Sequence, residues 1–118
     1  MNIQIFGTAK CKDTQKAERF FKERRIPFHF NDLKVRGLAR GELESVSKSV
    51  SWENLIDREN PLFRNFGLHV GSLYPEKVVQ LLQEHPLLAK TPIVRNGKIA
   101  TLGYQIDIWK NWIEAEKV

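Results

Sequence analysis

Apolar residues in the first thirty positions change from strand spacing to helix spacing and back again. Ile3 and Ile5 lie two residues apart, which predicts a strand over residues 2–6. A helix is predicted over residues 12–25 by an apolar stripe at helical spacing, formed by Ala17, Phe20 and Phe21. Residues 26–30 alternate again and predict a second strand. The order is β-α-β, and a helix of this length can cross over so that the two strands run parallel.

The middle of the chain follows helical spacing. The first helical stripe consists of Leu43, Val46 and Val50. Ser51 is a plausible N-cap, and the second stripe after it consists of Trp52, Leu55 and Ile56. Residues 61–74 have no clear period, but turns and a short packed segment are suggested there by Gly67, Gly71, Phe63 and Phe66. A further helix is predicted over residues 72–84, with Pro75 in its first turn.

The clearest local pattern is a β-hairpin in the last third of the chain. Two short strands within residues 92–102 flank Asn96-Gly97, a dipeptide typical of type I′ turns. A final helix is predicted by an apolar face that consists of Ile106, Trp109, Trp112 and Ile113. We therefore predict one α/β domain over residues 1–118, with a four-stranded mixed sheet. A helical insertion over about residues 38–88 would separate a β-α-β half from a β-β-α half.

Composition narrows the class of protein. The chain has 118 residues, of which 42% are hydrophobic and 28% are charged, as is ordinary for one soluble domain. No apolar run approaches the ~20 residues that cross a bilayer, and residues 1–6 do not resemble a signal peptide. The net charge of +5 is spread among acidic residues, so direct nucleic-acid binding is not favoured. We expect no metal site, because the chain's histidines are isolated from one another: His29, His69 and His85.

Cys11 is the only cysteine, and it lies at the predicted strand-to-helix junction. Unpaired backbone N–H groups and the helix dipole favour a nucleophilic thiolate there. Lys10 and Lys12 flank it and are expected to lower its pKa further, whereas Asp13 opposes them weakly. Thr14 holds the second position of a Cys-x-x-Cys pair, and its hydroxyl either donates to the thiolate or serves only the first turn of the helix. The alternative for the cysteine itself is a small buried hydrophobe without chemistry.

A single cysteine also fits a reducing, cytoplasmic compartment. It cannot form a disulfide within its own chain, so any redox cycle must take its second sulfur from outside.

The order of elements resembles the thioredoxin plan with helices inserted in the middle. The chain is similar over nearly all its length to the arsenate reductase-like branch of that superfamily, which also holds Spx-type transcription regulators. The resemblance rests on four stretches: Lys10-Cys11-Lys12-Asp13-Thr14-Gln15-Lys16-Ala17, Gly41-Glu42-Leu43, Glu84-His85-Pro86-Leu87-Leu88-Ala89-Lys90-Thr91-Pro92-Ile93 and Leu102-Gly103-Tyr104.

The resemblance implies a site around Cys11. Pro92 corresponds to the cis-proline of thioredoxin folds, which would turn the Thr91 backbone toward the cysteine and let it pair with an incoming peptide or glutathione. Arg58 and Lys90 would hold a glutathione carboxylate or another anion. Family members that reduce arsenate carry arginines around the sulfur. Here the corresponding positions hold Thr91 and the Leu102-Gly103-Tyr104 stretch, and only Arg58 remains as a stand-in.

Three functional hypotheses follow from the residues and the resemblance. The first is a monothiol thiol-disulfide oxidoreductase with Cys11 as nucleophile, coupled to glutathione or glutaredoxin, or acting on a cysteine-bearing client protein. The second is an Spx-like regulator that binds RNA polymerase, and the third is arsenate reductase proper, which the missing arginines disfavour. A family member that keeps the fold without activity is a further alternative.

Overall fold

The computed structural model describes residues 1–65 and 73–117. Its four strands are β1 (Ile3–Gly7), β2 (Phe28–Asp32), β3 (Ile93–Asn96) and β4 (Ile99–Leu102). Its α-helices are α1 (Lys12–Glu23), α2 (Arg40–Ser47), α3 (Pro61–Asn65), α4 (Pro75–Glu84) and α5 (Ile106–Glu116), and short 3₁₀ helices span Trp52–Leu55 and Pro86–Leu88.

The strands form one mixed sheet in the order β2-β1-β3-β4. β1 runs parallel to β2, whereas the pairs β1–β3 and β3–β4 are antiparallel. The predicted α/β fold with a four-stranded mixed sheet is confirmed. The helices between β2 and β3 all lie in the segment predicted as an insertion.

Alternation along the strands places a hydrophobic cluster on each face of the sheet. Ile5 and Val94 pack against α1 and α5, where Trp109 is fully buried. Phe6 and Ile93, one residue away on the same strands, pack against α2 and α4 instead. The sheet therefore lies between two layers of helices, and the carboxyl end of β1 opens at one edge of the core.

The end of α1 differs from the prediction. The helix stops at Glu23 rather than Arg25, because Arg25 adopts the left-handed conformation with φ 57°. The Arg25 N–H donates to the Lys22 carbonyl at 3.0 Å and the Ile26 N–H donates to the Phe21 carbonyl at 2.9 Å, which together form a Schellman motif. Ile26 is thus part of the helix end, and β2 begins at Phe28 rather than at the predicted residue 26.

Two further local predictions are wrong in detail. The segment after Ser51 is a single 3₁₀ turn, and Ile56 leaves it to form a bridge with Ala89. The helix predicted from residue 72 begins at Pro75, since Leu73 and Tyr74 are not helical. The expectations for Phe66, Gly67, Gly71 and Ser72 lie outside the described residues, whereas Phe63 is buried in α3 as predicted.

The hairpin turn is shifted by one residue. Asn96 pairs with Ile99, so the two turn residues are Gly97 and Lys98. Only Gly97 has a positive φ, 61°, which is the pattern of a type II′ turn rather than the predicted type I′ turn. Both types suit the twist of the strands.

Candidate functional site

Cys11 occupies the N-cap position of α1, directly after the turn that leaves β1. Its N–H donates to the Thr8 carbonyl at 3.2 Å, and its carbonyl accepts the Gln15 N–H at 3.0 Å. The sulfur is half-buried. The N–H groups of the first helical turn have no partners within the helix, and those of Asp13 and Thr14 act on the sulfur. The predicted strand-loop-helix placement of the thiol is therefore present.

Thr91 lies opposite the sulfur, on the loop that leads into β3. Its hydroxyl donates to Cys11 Sγ at 3.1 Å, and its carbonyl oxygen is 3.9 Å from the same sulfur. The thiol can donate to the carbonyl, and the thiolate can accept from the hydroxyl. The Thr91–Pro92 peptide bond is cis, as the resemblance to thioredoxin folds implied, and Pro92 is buried.

Thr14 is fully buried in the first turn of α1. Its hydroxyl oxygen has no hydrogen-bond partner among the described residues. The space beside it exists because Gly7 has no side chain, since a Cβ at Gly7 would collide with the Thr14 hydroxyl and methyl groups. A buried hydroxyl without a partner is costly, and an ionised sulfur nearby would supply the missing acceptor.

Several groups act on the pKa of Cys11, and their net effect is to lower it. Partial burial raises the pKa of the thiol, but this is outweighed by the hydroxyls of Thr14 and Thr91 and by the backbone N–H groups of Thr14 and Asp13. The exposed side chains of Lys10 and Lys12 are not among these groups, contrary to the role predicted for them. Short-range hydrogen bonds, rather than surface charge, favour the thiolate.

The sulfur opens into a cleft of about 560 Å³. Cys11 and Thr91 line it together with both predicted anion-binding residues, Arg58 and Lys90. Asp13, which the sequence placed beside Cys11, also lines the cleft, together with two carboxylates that the sequence did not indicate, Asp57 and Glu59. Three carboxylates and two cations therefore line the cleft, so the lining is not a simple anion-binding site.

A short antiparallel bridge brings the two cations together. Ile56 pairs with Ala89; the Asp57 N–H donates to the Leu88 carbonyl at 2.9 Å, and the Lys90 N–H donates to the Leu55 carbonyl at 2.8 Å. This pairing holds the segment before Arg58 against the segment before Thr91. It joins parts of the chain more than thirty residues apart, and no local sequence signal could have revealed it.

Metal sites and membrane-spanning helices concern residues 1–65 and 73–117 as a whole. No group of three or more His, Cys, Asp or Glu side chains there has the arrangement needed to hold a metal ion. No helix in these ranges is both long and apolar enough to pass through a bilayer. Of the chain's histidines, His69 lies outside the described residues.

Comparison with known proteins identifies several relatives. The model of the ArsC family matches residues 6–112. A relative named global transcriptional regulator Spx 2, from Oceanobacillus iheyensis, is 28% identical over 109 residues, which cover 91% of this chain and 80% of the relative. The global transcriptional regulator Spx of Bacillus subtilis is 22% identical over 107 residues, which cover 89% of this chain and 82% of the relative.

Solved structures show the same fold. A putative ArsC family related protein from Bacteroides fragilis superposes with a TM-score of 0.84 at 17% identity, over 94% of this chain and 97% of that one. An arsenate reductase from Vibrio cholerae superposes with a TM-score of 0.78 at 17% identity, over 86% and 89%. The thioredoxin-like architecture predicted from the order of elements is thereby confirmed.

Proposed function

Because the chain belongs to the ArsC family, we propose that it is a monothiol oxidoreductase in which Cys11 exchanges disulfides with glutathione. One observation carries the proposal: the half-buried Cys11 sulfur, whose pKa is lowered, accepts a hydrogen bond from Thr91 at 3.1 Å and faces a cleft. Thiolate is the form that attacks disulfides. Glutathione is abundant in a reducing cytoplasm, the compartment that a lone cysteine fits.

The cycle needs only one protein sulfur. The Cys11 thiolate attacks the glutathione sulfur of a glutathionylated thiol, the old S–S bond breaks, and the released thiolate takes up a proton. A second glutathione thiolate then attacks the glutathione sulfur of the Cys11 mixed disulfide. This step regenerates the Cys11 thiolate and yields oxidised glutathione, so over the whole cycle the glutathionylated thiol and one glutathione thiol become the free thiol and oxidised glutathione. A glutaredoxin thiol in place of the second glutathione would close the cycle in the same way.

The mixed charge of the cleft supports glutathione over a simple oxyanion. Glutathione has two carboxylates and one ammonium group. Arg58 and Lys90 suit the carboxylates, whereas the neighbouring carboxylates Asp57 and Glu59 suit the ammonium group.

Arsenate, which carries only negative charge, would meet those carboxylates without the ring of guanidinium groups that a small oxyanion requires. Thr91 stands where arsenate-reducing relatives carry an arginine, and its hydroxyl is already bound to the sulfur. Arsenate reduction is therefore the weaker reading of this site.

Mass spectrometry after exposure to oxidised glutathione tests the proposal. We expect a single glutathione adduct on Cys11, which excess reduced glutathione removes and which Cys11→Ser does not form. The thiolate absorbance of Cys11 followed against pH provides the second measurement. A protein without an adduct, or with a Cys11 pKa at or above the ordinary value of about 8.5, would contradict the proposal.

A regulatory role is the second candidate, favoured by the relatives named Spx. These relatives match about nine-tenths of this chain. In this role the protein would bind RNA polymerase and act without turnover. Thr14 replaces the second cysteine of a Cys-x-x-Cys pair, so Cys11 could not switch such binding by an internal disulfide.

Affinity capture of purified RNA polymerase separates the two roles. Equal capture by wild type and Cys11→Ser, with no glutathione adduct on the wild type, would favour the regulator. Adduct formation without capture would favour the oxidoreductase.

A further inference from the structure

A second groove continues from the Cys11 cleft along the outer edge of the sheet. It has a volume of about 440 Å³, and Lys90 and Asn54 line both spaces. Its floor is formed by Ala100 and Thr101 of β4. We call this space the β4 groove.

Part of the lining of the β4 groove is polar and includes Ser49 and Gln105. Its other side is apolar and is formed by Val50, Leu102 and Ile108. Ile108, on α5, is 41% exposed. A ligand that covers these side chains would remove apolar surface from water, which favours binding. The combined surface therefore suits a ligand that is polar near its sulfur and apolar some distance beyond it.

Strand addition is not the way in which such a ligand would bind. β4 pairs only with β3 among the described strands, so its other edge is open. However, the Ala100 N–H on that edge already donates to Ser49 Oγ at 3.0 Å, and the Leu102 carbonyl accepts the Gln105 amide at 3.1 Å. Recognition must therefore come from side-chain contacts with the walls.

We infer that the glutathionylated substrate of Cys11 is an extended protein segment that places an apolar side chain in the β4 groove. The inference rests on the proposed function and names its substrate class. In the exchange step, the client sulfur leaves from the side of the glutathione sulfur opposite Cys11. The electron pair of the broken S–S bond stays on that client sulfur, which then takes up a proton. The leaving chain must extend away from Cys11, and Lys90 and Asn54 provide the continuous path to the β4 groove.

Kinetics with two capped peptides test this inference. Both carry a glutathionylated cysteine, followed three residues later by leucine in one peptide and by aspartate in the other. We expect wild type to prefer the leucine peptide by about tenfold in kcat/KM, the lower range for one apolar group in a pocket. Ile108→Lys should abolish that preference. Ile99→Lys is the matched control, because Ile99 is 46% exposed yet does not line the groove, and it should keep the preference.

Binding of the same peptides in reduced form to Cys11→Ser gives a readout that needs no turnover. We expect the leucine peptide to shift the NMR signals of Val50, Leu102 and Ile108, and the aspartate peptide to leave them unchanged. Groove binding without any exchange by wild type would refute the proposed function and leave the β4 groove as a peptide site. Exchange without preference, or equal losses in the Ile108 and Ile99 variants, would overturn the groove inference and leave the function intact.

Discussion

Gly7→Ala is the sharpest structural test of how the site is built. Gly7 is the last residue of β1 and is buried against Thr14. A Cβ built on Gly7 would collide with the Thr14 hydroxyl oxygen, and it would lie 2.7 Å from the Thr14 methyl carbon and 3.1 Å from the Thr14 Cβ. Because Thr14 lies within α1, it cannot move without shifting the start of the helix that carries Cys11.

The expected cost follows from two opposing effects. Overpacking a buried site costs typically ~1–3 kcal/mol, whereas replacing glycine by alanine in a strand recovers ~0.5–1 kcal/mol of backbone entropy. We therefore expect Gly7→Ala to lower the free energy of unfolding by about 1–2 kcal/mol, measured by urea denaturation. Alkylation of Cys11 at neutral pH should slow as well, because displacement of the Thr14 hydroxyl removes a group that lowers the pKa of the thiol.

A double-mutant cycle isolates the collision. Thr14→Ala should cost about 1 kcal/mol for its buried methyl group. The double variant Gly7→Ala with Thr14→Ala loses both colliding atoms, so it should be about as stable as Thr14→Ala alone. Gly41→Ala is the control, since a Cβ at Gly41 meets nothing within 4 Å and should stabilise α2 by ~0.5–1 kcal/mol. If the effects of the two substitutions simply add, within about 0.5 kcal/mol, the contact does not exist as described and the reasoning fails.

Three further predictions concern single groups. Thr91→Val removes the hydroxyl that donates to Cys11 Sγ, so the pH midpoint of Cys11 alkylation by iodoacetamide should rise. Thr91→Ser keeps the hydroxyl and should keep the midpoint. An unchanged midpoint in Thr91→Val would contradict the assigned hydrogen bond. Thr101→Val leaves the buried indole N–H of Trp109 without its 2.9 Å acceptor, and urea denaturation should show a loss of ~1–3 kcal/mol that Thr101→Ser does not reproduce. Burial raises the pKa of Glu42, but hydrogen bonds from a guanidinium and a backbone N–H outweigh burial and lower the pKa in the folded state. The ionised carboxylate therefore stabilises the folded protein above the unfolded pKa of about 4.3. This stabilisation is lost as the pH falls through the folded pKa. Wild type should therefore lose more stability than Glu42→Gln between pH 6 and strongly acidic pH (roughly 6 to 2), and parallel profiles would exclude this linkage.

The fold could be predicted from the sequence where the spacing of apolar residues matches the side chains that are buried. Ile3 and Ile5 alternate along β1, and Trp109 lies on a helical stripe, so each side chain reached the face that its spacing predicted. The errors occur where a hydrogen bond decides the outcome. Arg25 ends α1 by adopting a left-handed conformation that sequence spacing does not specify, and the shifted register of Asn96 moves the hairpin turn to Gly97 and Lys98.

The candidate site around Cys11 could be predicted from the sequence only in part. Cys11 and Thr91 could be placed together from the resemblance to thioredoxin folds, and the structure puts them in contact. The lysines beside Cys11 in the sequence were expected to act on its sulfur, yet the groups that lower its pKa are buried hydroxyls and backbone N–H groups. Adjacent residues at the start of a helix point in different directions, whereas a residue three positions later, such as Thr14 after Cys11, lies on the same side of the helix.

The placement of Lys90 links the two spaces that define the site. Lys90 lines both the charged cleft and the β4 groove, while its N–H donates to the Leu55 carbonyl. A cation held at that boundary can neutralise a glutathione carboxylate on one side without closing the path to the other. The geometry therefore favours a substrate with two unlike parts, a small charged thiol and a larger apolar chain joined through sulfur.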